Sequence, residues 1–378
     1  MIRYDINLLQ KEVLAMKKVK VGVIGCGNIS SIYLKNCTTV FSDILDVVAC
    51  ADIDMERAKS KAKEFNIPHA YTVKEILYDP ETEIIINLTI PNAHYDVCMS
   101  ILEAGKNAYV EKPLSITREK GWKLIEKAKE KGVLLGGAPD TFLGGGLQTC
   151  RRLIDEGVIG EPIAGTAFMT CRGHERWHPD PEFYYKVGGG PILDIGPYYI
   201  TALVNLIGPV AEVKSSARIT FPQRTITSKP KYGQKIDVEV PTHVSGVLDF
   251  ENGAVGVLMT SFDIWAAKLP FIEIYGTEGS LEVPDPNTFG GPILVYKNGT
   301  SQWEEVPVSQ NYTENSRGLG VADMAYSLRT GVKHRANSDL TYHVLDIMQG
   351  IIESSEKKAF CKIESTCERP RSFNGTDF

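Results

Sequence analysis

The feature that most constrains the fold of this 378-residue chain is the apolar, β-branched run at 19–24 that ends in Gly25-Cys26-Gly27-Asn28-Ile29-Ser30. A strand that stops at Gly-x-Gly and gives way to a helical pattern from Asn28 defines a strand–turn–helix unit. The alternation continues, with strands predicted over 46–51, 84–88, 107–110 and 133–136 and helices over 55–65, 94–104 and 117–131. Strands and helices alternating at this spacing imply a Rossmann-type, doubly wound parallel sheet over 19–140. After about residue 160 the rhythm changes. Strands are predicted over 164–170, 212–219, 244–250, 254–261 and 271–275, with Glu251-Asn252-Gly253 as a hairpin turn. Long periodic helices follow over 319–330 and 340–357. The expectation is a second, substrate-binding α+β domain over 141–366, built on a large, mostly antiparallel open sheet with flanking helices. One late helix is expected to pack back on the first domain. Residues 1–18 read as an N-terminal extension and 367–378 as a disordered polar tail. Two domains suit a chain of this length.

Composition narrows the function. With 41 Lys and Arg against 47 Asp and Glu, a formal charge of −6, the chain lacks the basic footprint of a nucleic-acid binder. Nowhere do eighteen apolar residues run together, and the first twenty lack the apolar core of a secretory signal, so neither a membrane partner nor export is expected. The eight cysteines are scattered singly without a Cys-x-x-Cys pair, which reads as reduced structural thiols in a cytoplasmic protein.

In the turn, Gly25 permits the tight bend, Gly27 lets backbone N–H groups approach a phosphate, and Asn28 and Ile29 lead into the helix. Ser30 is small enough for close helix–strand packing. A glycine turn with no ligand fits the motif alone equally well. Asp52 tips the balance. It lies at the end of the second strand, where a carboxylate can accept from ribose hydroxyls. Its spacing from Gly25 exceeds the usual ~20 residues, so the first helix or its loop must be long. A carboxylate there repels a 2′-phosphate, and the next residue is apolar Ile53 rather than Arg; NAD is therefore favoured over NADP.

Two further segments, Thr89-Ile90-Pro91-Asn92-Ala93-His94 and Glu111-Lys112-Pro113-Leu114, together with the glycine turn, make the chain resemble the Gfo/Idh/MocA family of glucose–fructose oxidoreductase and inositol dehydrogenase. The likeness extends over most of the chain, including LIDEGVIGEP from Leu153, IEIYGTEGSL from Ile272, and Asp194-Ile195-Gly196-Pro197-Tyr198 after a triple glycine. The resemblance implies that Thr89, Pro91, Asn92 and His94 serve the cofactor, that Lys112 sits beside both nicotinamide and substrate hydroxyl, and that Glu111 either contacts the cofactor or positions the Lys112 ammonium. A cation there suits the alkoxide that develops as hydride leaves. A cis Lys112–Pro113 bond is allowed. The resemblance also makes Asp194 and Tyr198 the acid/base pair, with Tyr in the place that inositol dehydrogenase gives to His. If that segment is helical, the two share one face. It further implies a homodimer or homotetramer formed through the antiparallel sheet.

His174-Glu175-Arg176-Trp177-His178 matches the zinc-protease pattern His-Glu-x-x-His, which works only on a helix. Gly173 before it and Pro179 and Pro181 after it oppose a helix, and no metal is expected. Arg172, His174, Trp177 and His178 read instead as substrate-binding loop residues that suit a sugar's polar edges and apolar faces. The leading expectation is an NAD-dependent dehydrogenase or reductase acting on a secondary hydroxyl of a sugar, inositol or polyol. A redox-neutral, NAD-dependent glycosidase and a non-catalytic dinucleotide-binding regulator are the alternatives within the same architecture.

Overall fold

The computed structural model describes residues 17–375, so all but Lys17 and Lys18 of the predicted N-terminal extension lies outside the described residues. The chain divides into two compact units, Met1–Gln148 with Gln310–Tyr342 and Pro370–Phe378, and Thr149–Ser309 with His343–Arg369.

In the first unit β1 (Val19–Ile24), α1 (Ser30–Thr38), β2 (Leu45–Ala51), α2 (Met55–Glu64), β3 (His69–Tyr71), α3 (Val73–Tyr78), β4 (Ile84–Asn87), α4 (Pro91–Glu103), β5 (Asn107–Val110), α5 (Arg118–Lys131) and β6 (Leu135–Gly137) follow one another. The strands pair in the order β3-β2-β1-β4-β5-β6, all parallel. Ile84, Ile85 and Ile86 are all fully buried, as expected of a central strand covered on both faces. The order reverses direction between β1 and β4, a switch point at which the strands' C-terminal ends leave room for a ligand. The long spacing to Asp52 comes from the 39–44 loop, where Phe41 N–H donates to the Asn36 carbonyl (2.9 Å) and Ile44 N–H to that of Phe41 (3.1 Å). The pair β3 and α3 was not expected. A capping box starts α3, Thr72 accepting from Glu75 N–H while Glu75 accepts from Thr72 N–H. The helix α6 (Gly145–Asp155) carries the chain across the division between the units.

The second unit contains β7 (Pro162–Thr170), α7 (Gly190–Asp194), α8 (Gly196–Leu206), β8 (Val210–Arg218), β9 (Gln223–Thr225), β10 (Lys235–Asp237), β11 (His243–Phe250), β12 (Val255–Ser261), β13 (Ile272–Gly276), β14 (Gly279–Val283), β15 (Leu294–Lys297) and β16 (Glu304–Glu305). The chain then runs through α9 (Leu319–Thr330) and α10 (Ser338–Lys357) to β17 (Cys361–Lys362). Nine strands form one sheet in the order β16-β15-β14-β13-β7-β12-β11-β8-β17. Its neighbours are antiparallel except β7 and β12, so the sheet is mixed at its centre. The predicted hairpin joins β11 to β12, with Gly253 at φ +88°. Along β12, exposed Val255 and Val257 alternate with buried Gly256 and Leu258, and every residue of α8 is buried.

Residues of α9 belong to the first unit, where Gly318 and Gly320 N–H donate to Asp140 Oδ2 at 2.8 and 3.0 Å. The expectation of a disordered tail is corrected as far as Gly375: Phe373 is buried, stacked on Tyr312 with ring centroids 5.9 Å apart, and its N–H donates to Gln148 Oε1 (2.6 Å). Arg335, which donates to the Arg371 and Ser372 carbonyls, and Asn311, which donates to that of Gly375, hold the same segment. Among the described residues no helix is long and apolar enough to cross a membrane.

Candidate functional site

At the end of β1 the backbone turns through Gly25 at φ +102°, where an added Cβ would stand 2.7 Å from the Leu88 backbone; only glycine fits. Gly27 differs. Its φ is not left-handed, and an added Cβ would meet nothing within 4 Å. No neighbour requires a glycine there, so the free space is the kind a pyrophosphate fills. Gly27, Asn28 and Ile29 are exposed while Ser30 is buried, its hydroxyl donating to the Gly27 carbonyl (2.6 Å). Ile29, the N-cap of α1, supplies no side-chain cap, which leaves N–H groups of the helix start for an anion.

Asp52 holds this turn shut. Its Oδ2 accepts from Cys26 N–H (2.7 Å) and its Oδ1 from Asp54 N–H (2.9 Å). Each carboxylate oxygen retains a lone pair, so ribose hydroxyls can still be bound. Ile53 beside it is 97% exposed, an apolar surface with nothing of the protein on it. These residues fit a dinucleotide: Gly27 and the start of α1 for the pyrophosphate, Asp52 for a ribose, Ile53 for an apolar ring face.

The ends of β4 and β5 are tied to each other. Asn87 Oδ1 accepts from Thr89 N–H (3.2 Å) and hydroxyl (2.6 Å), while its amide donates to the His94 carbonyl (3.1 Å). His94, 1% exposed, sets Nδ1 2.7 Å from the Pro113 carbonyl and Nε2 3.0 Å from the Thr89 carbonyl. Burial holds its pKa below the ordinary imidazole value, and a neutral ring donates through one nitrogen only. His94 thus acts as a strut joining the Thr89 and Lys112 turns. Pro91 opens α4 and Asn92 is exposed beside it. Glu111 is buried and also works as a strut, accepting from the Tyr33 hydroxyl (2.8 Å) and from Lys112 N–H (2.9 Å). The Lys112–Pro113 bond is cis. Lys112 therefore leaves the C-terminal edge of the same sheet as Gly25 and Asp52, on a backbone fixed from two sides.

In the second unit Asp194 is the last residue of α7, and Tyr198 lies in the first turn of α8. The segment is helical but not as one helix: it breaks at Ile195, and Pro197 has no N–H with which to continue the ladder. Asp194 Oδ2 lies 3.2 Å from His174 Nε2, and Trp177 Nε1–H donates to His174 Nδ1 (3.2 Å). Indole can only donate, so Nδ1 accepts and Nε2 carries the proton given to Asp194. Tyr184 and Phe262 enclose the imidazole, with centroids 4.3 and 4.6 Å away.

The structure gathers His174, Trp177, His178 and Asp194 but turns Arg172 elsewhere, onto Phe221 and Trp265. The His-Glu-x-x-His segment is a turn, not a helix. Glu175 is engaged with Arg224 (2.9 Å) and with the Tyr185 hydroxyl, and His178 Nδ1 accepts from Asp180 N–H (3.0 Å). Sequence reasoning missed Tyr33, Asn87, Arg224 and Trp265. Tyr33, Arg224 and Trp265 act on residues distant in the chain, while Asn87 acts on nearby Thr89 and His94; no local motif marks any of them.

A parallel sheet in this strand order, with a glycine turn after β1 and an acidic residue after β2, is the Rossmann arrangement of dinucleotide-binding enzymes. Residues 19–137 match the oxidoreductase family with an NAD-binding Rossmann fold, and residues 147–282 the GFO/IDH/MocA C-terminal domain. The chain belongs to the Gfo/Idh/MocA family of NAD(P)-binding oxidoreductases. It is 28% identical over 322 residues to scyllo-inositol 2-dehydrogenase (NAD(+)) of Bacillus subtilis, covering 83% of this chain and 87% of that one. A second enzyme of that organism, scyllo-inositol 2-dehydrogenase (NADP(+)), is 23% identical over 92% of this chain and 96% of its own. Trans-1,2-dihydrobenzene-1,2-diol dehydrogenase of Xenopus tropicalis is 27% identical over 82% of this chain and 88% of its own. The fold is shared with levoglucosan dehydrogenase in complex with NADH, at a TM-score of 0.80 and 20% identity over 92% of this chain and all of that one.

Proposed function

We propose that the protein is an NAD-dependent dehydrogenase or reductase acting on a secondary hydroxyl or ketone of a sugar, inositol or related polyol. The observation that carries this is the placement of Lys112, fixed by Glu111 and His94, on the same sheet edge as the Gly27 turn and Asp52. Bound at that edge, the nicotinamide supplies the hydride acceptor or donor. Lys112 stabilises the negative charge that grows on the substrate oxygen. Tyr198 moves the hydroxyl proton, and Asp194, held by the Trp177–His174 pair, orients substrate or phenol. His174, Trp177 and His178 offer hydrogen bonds and ring faces to a sugar. Asp52 favours NAD, because a 2′-phosphate would meet its carboxylate. The inositol and diol dehydrogenases among the relatives support the substrate class. Exposed Val247, Val255 and Val257 on one sheet face support a homodimer or homotetramer, and eight free thiols suit the cytoplasm.

The test is NADH formation, followed by absorbance, over hexoses, pentoses, inositols and amino sugars. Stoichiometric NADH from at least one of them is expected. Cleavage of a glycoside with no net NADH would replace this function with the redox-neutral one.

A further inference from the structure

Beside the His174–Asp194 group, the second unit holds a separate cavity of about 320 Å³, lined by Arg172, Arg176, Arg224, Phe221, Gln223 and Trp265 among others. The volume lies at the lower end of the small-molecule range and admits a monosaccharide. The Arg172 guanidinium lies 4.3 Å from the Trp265 ring centroid and 5.0 Å from that of Phe221. Two of its nitrogens, Nε and Nη1, are buried without a hydrogen-bond partner among the described residues. The fully buried Arg224 takes both nearby carboxylates, Glu175 at 2.9 Å and Asp263. No acidic side chain among the described residues is paired with Arg172 or Arg176. Three guanidinium groups against two carboxylates leave one positive charge around the cavity. Asp237, bound to Gln223 at 2.9 Å, is exposed and screened by solvent.

An unanswered charge in a partly buried position is costly unless something answers it. Trp265 beside it is 74% exposed, with the guanidinium groups of Arg172 and Arg176 4.3 and 5.8 Å from its ring centroid. Gly173, at φ +95°, lets the loop bend sharply enough for Arg172 to turn away from the His174 side of the segment.

We infer that this cavity binds the carboxylate of an acidic monosaccharide, Arg172 and Arg176 taking the carboxylate and Trp265 the apolar face of the ring. A single surplus positive charge matches a carboxylate rather than a phosphate monoester of charge nearly −2. Aromatic faces suit the sugar ring, and a planar guanidinium suits the planar carboxylate. The proposal goes beyond the function proposed above: it adds a binding site apart from the His174–Asp194 group and does not rest on turnover. Binding stands by itself.

Calorimetry on the full chain tests it with D-glucuronate, D-glucose and inorganic phosphate. Saturable glucuronate binding is expected, at least tenfold tighter than glucose or phosphate. Arg172→Gln should lose about tenfold or more of that affinity. Arg176→Gln, at an exposed position over the outer Trp265 ring, should weaken glucuronate several-fold and leave glucose unchanged, which keeps the test decisive if the Arg172 variant does not fold. Equal affinity for glucose and glucuronate, preference for phosphate, or indifference of glucuronate binding to Arg176→Gln overturns the inference. NADH formation separates the two claims. Arg176-dependent glucuronate binding without NADH from any sugar retains the cavity's role and removes the dehydrogenase; oxidation of neutral sugars by a protein that does not bind glucuronate does the reverse.

Discussion

Gly25 and Gly27 stand two residues apart in one turn, and a methyl group added to each has different consequences. At Gly25 it would strike the Leu88 backbone in a left-handed conformation, so Gly25→Ala is expected to destabilise the first unit by about 1–3 kcal/mol, seen as a lower thermal midpoint. At Gly27 it would enter open space. Gly27→Val is therefore expected to melt close to the wild type while binding NADH at least tenfold more weakly in a fluorescence titration. Unchanged NADH binding would mean that the space is not the pyrophosphate's. Asp52 was legible in the sequence through its place at a strand end, and Lys112 through its segment's resemblance to a family. The residue that holds Glu111 beside Lys112 was not, because Tyr33 meets Glu111 across 78 positions; Arg224, which meets Glu175 across 49, was hidden for the same reason. Arg172 was singled out for its residue type, but its direction depends on Gly173 and on two aromatic rings from remote loops.

Among the elements, the long strands and helices were readable because periodicity needs several turns or alternations to declare itself. The helix α9 begins and ends where the pattern placed it, and β5 likewise. The missed pair, β3 and α3, spans three and six residues, too short for either period to show. The capping box at Thr72 was the available signal. Thr72→Ala removes an N-cap acceptor and should cost about 1 kcal/mol in urea denaturation, with NADH affinity unchanged. A larger loss would mean that α3 carries more of the sheet's edge than its length suggests. The break between α7 and α8 was signalled by Pro197, yet the spacing of Asp194 and Tyr198 also suited one continuous helix. The centre of the second sheet was harder to foresee, since nothing local tells that β7 pairs parallel with β12 across some ninety residues.

For the whole molecule, stability should depend on pH through its buried imidazoles. Burial lowers the pKa of His94 and His343 and brings His334 down to about 4. A depressed folded pKa means that the unfolded chain binds more protons in this range. The stability from these groups is complete above the unfolded value of about 6.5 and is lost as pH falls through the folded values. Asp140 opposes them. Burial pushes it up to about 6, so its contribution is present below about 3.8 and lost as pH rises through 6. Three groups against one predict a urea midpoint that falls between pH 7 and pH 4.5, and His334→Gln should flatten that fall if the variant folds. A midpoint that rises over the same interval would contradict the burial argument.

Lys112 is the residue proposed to complete an alcohol-oxidising centre on the dinucleotide-binding edge of the first sheet. The most direct measurement compares wild type and Lys112→Met for NADH affinity and for kcat on whichever polyol the wild type oxidises. NADH binding within about threefold of wild type is expected, with a kcat lower by a factor of about 100 or more, the scale of removing one group that stabilises a developing oxyanion. Turnover unchanged by the substitution would contradict it.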